Sequence, residues 1–205
     1  MRMQLSQQAE ERLGKSELVI ITERVDDVAL LIGQMITMGL PEVLDRHIPR
    51  HWKQRGLSWG WTAVIWLAHM LTEGDHRKVA VEVYIKGMQH TLSRLTAQVI
   101  QPLDFSDDRL SHLLTHLSKP KYWHQIERDL HERSSEVHAL PPDVIRCEAT
   151  TVSGAHEVTA EGLLQFGHSK DDPTRPQIKV MMGALDPLGM PLTTDVLSGE
   201  RAADG

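Results

Sequence analysis

At Leu140-Pro141-Pro142-Asp143 the chain changes its apolar period, and a single kind of regular structure cannot serve both sides of that break. Before it, hydrophobic residues recur at three- and four-residue steps, which paints one face of a helix. After it they alternate, which paints one face of a strand. The sequence therefore predicts an α+β protein. A flexible N-terminus (1–24) precedes an all-helical domain (25–140), and a strand-rich segment (141–205) follows.

Within the helical part, Val28, Leu31, Ile32, Met35 and Met38 share a face, and Gly39 ends that helix before Leu40-Pro41 opens a second. Ser58 is a fitting N-cap for a helix that is apolar on nearly every side from Trp61 to Leu71, which places it at the centre of a bundle. Gly74-Asp75 breaks the chain ahead of a helix near 76–86, and another is expected from Leu92 to Ile100. Ser106-Asp107-Asp108 supplies a capping hydroxyl and two carboxylates at the positive end of a helix dipole. Leu110, Leu113, Leu114 and Leu117 then form an amphipathic stripe, and Pro120 heads a last helix through Leu130.

Beyond the break, 144–152 is rich in β-formers. Residues 177–185 place Ile178, Val180, Met182 and Ala184 on one face. Asp186-Pro187-Leu188-Gly189 has the proline-second, glycine-fourth order of a type I turn, and 192–197 returns as the partner strand. A loop-rich stretch, 153–176, separates the first strand from this hairpin.

The single cysteine, Cys147, excludes an internal disulfide and a thiolate zinc knuckle. The longest apolar run is too short to span a bilayer, and the N-terminal residues lack the apolar core of a signal peptide. A cytoplasmic protein with no membrane partner is the expectation. The net charge of −6 opposes wholesale phosphate neutralisation, so any nucleic-acid contact must be local. Two stretches are locally basic, Arg46 to Arg55 and Asp75 to Lys78, although a solvated loop and a solvated helix end fit the same residues. Trp52 lies inside the first of them and is a candidate base contact. His112 and His116 are spaced for one helix face and for shared metal binding, but a solvated face fits them better. Glu148 sits mid-strand, where it is either an ordinary exposed glutamate or, facing inward, a group that must pair or bind a metal.

The run Arg146-Cys147-Glu148-Ala149-Thr150-Thr151-Val152-Ser153-Gly154 resembles the first catalytic strand of bacterial insertion-sequence transposases of the DDE type. The resemblance continues through Glu161 to Asp171, Gln177 to Met182, Leu185 to Leu192 and Ser198 to Ala202. Upstream, Gly39 to Asp45, Glu73 to Lys78 and Phe105 to Leu110 resemble the helical domain that accompanies this catalytic domain. The fold implied for 141–205 is the first three antiparallel strands of an RNase H-like mixed sheet.

The chemistry implied is DNA transposition, in which carboxylates hold paired Mg²⁺ ions that clamp the attacking and leaving oxygens of a phosphodiester. Glu148 takes the place of the first metal ligand and catalytic residue, where the family carries Asp. The added methylene moves the oxygens outward by about an ångström, and a misplacement of that order can lower a rate by about 100-fold. The resemblance implies DNA contacts for His168, Lys170, Arg201, Arg77 and Lys78, with transposon ends as partner, a homo-oligomer as a possibility and no small-molecule substrate. It also places the remaining acidic residues beyond the third strand, so the chain is expected to be truncated within the catalytic domain and inactive alone. The alternative is a non-catalytic DNA-binding, regulatory or multimerising fragment.

Overall fold

The computed structural model describes residues 20–139, 144–168, 172–186 and 188–201. Six α-helices precede three strands among them: α1 (Val28–Thr37), α2 (Leu40–His47), α3 (Trp59–Glu73), α4 (Lys78–Thr96), α5 (Asp107–Leu117), α6 (Pro120–His138), β1 (Ile145–Ser153), β2 (Gln177–Leu185) and β3 (Met190–Ser198). The α+β expectation is met. The Pro-Pro break, Lys170 and Pro187 lie outside the described residues.

Helix α3 occupies the centre, in contact with α1, α2, α4, α5 and the 3-10 turn Pro102–Phe105. Ser58 caps it as expected, its hydroxyl accepting the Trp61 N–H at 3.3 Å. Gly60 lets it approach α2, since a Cβ there would stand 2.1 Å from the Pro41 carbonyl oxygen. Glycine at that crossing therefore sets how closely the two helices pack. Helices α2 and α6 are tied by Asp129, which accepts from Arg46 at 2.8 Å and meets His47 at 2.7 Å. The His47 hydrogen bond comes first in holding the Asp129 carboxyl below its ordinary range.

Three details differ from the sequence reading. The two helices expected on either side of residue 90 form one, α4, bent where Met88 leaves helical geometry (φ −144°, ψ 29°). Val81, Ile85, Met88 and Leu92 keep a common buried stripe across the bend, so packing overrides the weak helix former Gly87. The Ser106 hydroxyl makes no cap bond. The leucine stripe of α5 is narrower than expected, with Leu110 and Leu113 buried and Leu114 46% exposed.

The sheet is an antiparallel meander in the order β1-β2-β3. Leu185 pairs with Met190 across the turn, where Gly189 takes a positive φ of 66°. The apolar face of β2 (Ile178, Val180, Met182, Ala184) is the more open one, and the buried positions are Gln177, Lys179, Gly183 and Leu185. At the start of β2 the segment around Gln165 contributes to this, because Gln165 bridges to Gln177 and covers that end of the strand. The buried donors are matched there by backbone carbonyls: Gln177 Nε2 donates to His168 and Gly199, and Lys179 donates to Arg201, while Gln177 Oε1 has no partner among the described residues.

Among the described residues, no single helix is long and apolar enough to cross a membrane. The bent pair α1 and α2 qualifies by length and composition only, and both helices contribute side chains to the bundle core.

Candidate functional site

Glu148 sits mid-way along β1, paired with Met182 of β2. Alternation puts it on the open face of the sheet, with Thr150, Val180 and Met182 as same-face neighbours. It is exposed, and among the described residues its side chain has neither a hydrogen bond nor an ion pair. No group of three or more His, Cys, Asp or Glu side chains suited to a metal occurs among the described residues. A solvated lone carboxylate is a weak ligand for Mg²⁺, which needs near-octahedral oxygen geometry.

Among the described residues, the others singled out from the sequence make their contacts away from Glu148. The His168 side chain is exposed while its carbonyl holds Gln177 at 3.0 Å. Arg201 is exposed just past β3 and accepts from Lys179 through its carbonyl. Lys170 lies outside the described residues. Arg77 is engaged by Asp75 in a fork, at 3.0 Å from Nε and 2.8 Å from Nη2, and that pairing holds the Asp75 carboxyl far below its ordinary range. Lys78 donates to Asp107 at 3.2 Å and Ser111 at 2.5 Å. The charge of this second basic stretch is thus matched within the protein.

The first basic stretch behaves differently. The loop after α2 folds back on the start of α5 and forms with it an open cleft of about 870 Å³. Arg50, Lys53 and Arg109 bring positive charge to its wall, against one exposed carboxylate, Asp108. Arg109 crosses from α5 to hold the loop, donating to the Arg55 carbonyl at 3.0 Å and to that of Leu57. Asp104 stands 3.7 Å behind it. Burial pulls the Arg109 pKa down, and neighbouring Arg50 adds to that, while Asp104 opposes. Trp59 lies beside the guanidinium at 5.4 Å and beside the His116 ring at 5.6 Å. His116 is therefore half-buried in a cleft wall and not on a solvated face, because Trp59 and Tyr122 flank it. Trp52 stands outside at 82% exposure, with Lys53 Nζ 4.8 Å from its ring. Local basicity of 46–55 and the His112/His116 spacing were visible in the sequence. That Arg109 joins them was not, because the residues are far apart in the chain.

A further titratable group is fully packed. His69 is buried on α3, edge-on to Tyr84 at 4.7 Å, with its Nδ1 unpartnered. Burial lowers its pKa, and Asp75 and Glu73 oppose weakly. The unfolded chain therefore takes up a proton before the folded one does. The His69 contribution to stability is complete above about pH 6.5 and is lost as the pH falls below it. Thermal unfolding at about pH 7.5 and 5.5 should show a smaller acid loss for His69→Gln than for the unsubstituted protein. An equal loss in both would place the acid sensitivity elsewhere.

The fold thus defines the class as a helical bundle joined to an antiparallel three-stranded sheet. No family model, curated protein or solved structure matches the chain.

Proposed function

We propose that this chain belongs to the DDE insertion-sequence transposases and serves DNA transposition, its helical part preceding the first strands of an RNase H-like domain. The observation that carries the reading is topological. An antiparallel meander follows a helical bundle, and its first strand presents a carboxylate, Glu148, at mid-strand on an open face. That is the strand and position where the resemblance implies the first Mg²⁺ ligand. Glu148 would supply one oxygen donor to a metal that polarises the scissile phosphodiester and activates the attacking hydroxyl.

The second reading, a non-catalytic DNA-binding or regulatory module, is favoured by the solitary, solvated state of Glu148 among the described residues. One experiment separates the two. The chain should retard duplex DNA carrying the ends of its element in preference to random duplex, and Glu148→Gln should leave that binding unchanged. In a protein that also carries the family's remaining acidic residues, Glu148→Gln should cut Mg²⁺-dependent strand cleavage by about 100-fold or more, as loss of a metal ligand would. End binding with cleavage indifferent to Glu148→Gln would leave the second reading. No preference for element ends would overturn both.

A further inference from the structure

The cleft between the 48–57 loop and α5 collects unpartnered polar groups, most of them donors, beside fixed positive charge. Half of the buried side-chain polar atoms without a partner among the described residues belong to four of its lining residues: Gln54 Nε2 and Oε1, Trp59 Nε1, Arg109 Nε and His116 Nδ1. Buried polar groups are nearly always paired, so a cluster of unpaired ones calls for an explanation. Most of these atoms are donors. An indole N–H and a guanidinium Nε–H can only donate, and a carboxamide nitrogen donates as well. Trp59 is 7% exposed, so its N–H has little recourse to bulk water.

The charge points the same way. Arg50 and Arg109 are tied to neighbouring backbone, Arg50 donating to the Gly56 carbonyl at 2.9 Å and Arg109 to that of Arg55 at 3.0 Å. Both guanidinium groups are thereby fixed, and although Asp104 stands 3.7 Å from Arg109, Arg50 and Lys53 have no carboxylate partner among the described residues, which leaves net positive charge for an anion. Lys53 adds a third cation on the same wall, and the opposing Asp108 is exposed and screened. Several N–H donors and fixed guanidinium groups suit a tetrahedral oxyanion with many acceptor oxygens.

We infer that this cleft is a phosphate-binding site built from Arg50, Lys53, Trp59, Arg109 and His116. The phosphate is either a free phosphate group or the phosphodiester of a nucleic acid strand. The inference stands on the cleft alone, and its failure would leave the Glu148 reading untouched.

The test follows the Trp59 indole N–H resonance, assigned by its disappearance in Trp59→Phe. The full chain is titrated with inorganic phosphate, with a short DNA duplex, and with chloride at matched ionic strength. Phosphate should move this resonance while chloride does not. Arg50→Gln and Lys53→Gln, together, should weaken phosphate binding by about tenfold or more with the remaining backbone resonances in place. If the duplex moves the same resonance at far lower concentration than phosphate does, the source is a nucleic acid. If only phosphate moves it, the source is a free phosphate group. A resonance that ignores both ligands, that follows chloride equally, or that responds undiminished in the doubly substituted protein overturns the site.

Discussion

Replacing Asp104 with alanine should destabilise the protein by about 3–5 kcal/mol, the range for stripping one partner from a buried charge pair. Asp104 is 5% exposed and lies in the 3-10 turn between α4 and α5. Its carboxylate accepts the backbone N–H of Leu57 at 3.1 Å and that of Gln101 at 3.0 Å, besides standing 3.7 Å from Arg109. Alanine would leave two backbone donors without their acceptor and a half-buried guanidinium without its counter-charge at once. Gly56 passes the same oxygen in a left-handed turn (φ +79°), where an added Cβ would stand 2.2 Å from it, so the loop has little freedom to bring in a substitute. The midpoint of thermal unfolding should fall by roughly 10 °C. Asp104→Asn keeps an acceptor and should lose less. Replacing Asp104 and Arg109 together by apolar residues should lose less than Asp104→Ala alone, since no charge is then stranded. A loss below about 1 kcal/mol for Asp104→Ala would mean that water reaches the carboxylate. The same substitution should loosen the phosphate cleft, because Asp104 holds both Arg109 and the loop that carries Arg50.

Local chemistry made most of the architecture legible before any coordinates. The Ser58 cap, the Gly39 stop and the turn ending at Gly189 act within a few residues, and each is found where the sequence puts it. What was hidden depends on distant partners. The stripe Val81, Ile85, Met88 and Leu92 does keep three- and four-residue steps across Gly87, but that packing on it carries α4 through its bend depends on the helices around it. The burial of Gln177 and Lys179 in place of Ile178 and Val180 depends in part on a loop that returns from Gln165. The cleft shows the same division. Its basic loop was readable as charge, but Asp104 and Arg109, which shape it, gain their meaning from contacts across about half a hundred residues of chain, as in the Leu57–Asp104 bond (47 residues apart). Glu148 was readable as a strand residue, and the face it takes follows from the β1–β2 register.

The two halves should differ in stability by enough to separate them in amide exchange. The hydrophobic core from Val28 to Ile126 is drawn from the helical half alone, and the strands add only Leu185 to the buried hydrophobics. Strand β1 is exposed along nearly its whole length. A three-stranded sheet needs a covered apolar face to be stable by itself, and here Ile178, Val180, Met182 and Val196 share the open one. Its main tie to the bundle is Glu127 of α6, which accepts the Thr194 N–H and hydroxyl, each at 2.6 Å, and so occupies the edge of β3. Exchange of α3 amides should therefore require global unfolding, while β1 amides exchange through local opening. The gap should reach about three orders of magnitude or more, since global stability is about 5–15 kcal/mol and each tenfold corresponds to about 1.4 kcal/mol. Glu127→Ala should remove about 1–3 kcal/mol of protection from β3 and leave α3 unchanged, because it strands one backbone donor at the sheet and none in the bundle. It should also promote self-association through the freed edge, visible in light scattering. If β1 and α3 exchange at one common rate, the sheet and the bundle unfold as a single unit, and the open face of β1 is held by contacts stronger than the Glu127 tie.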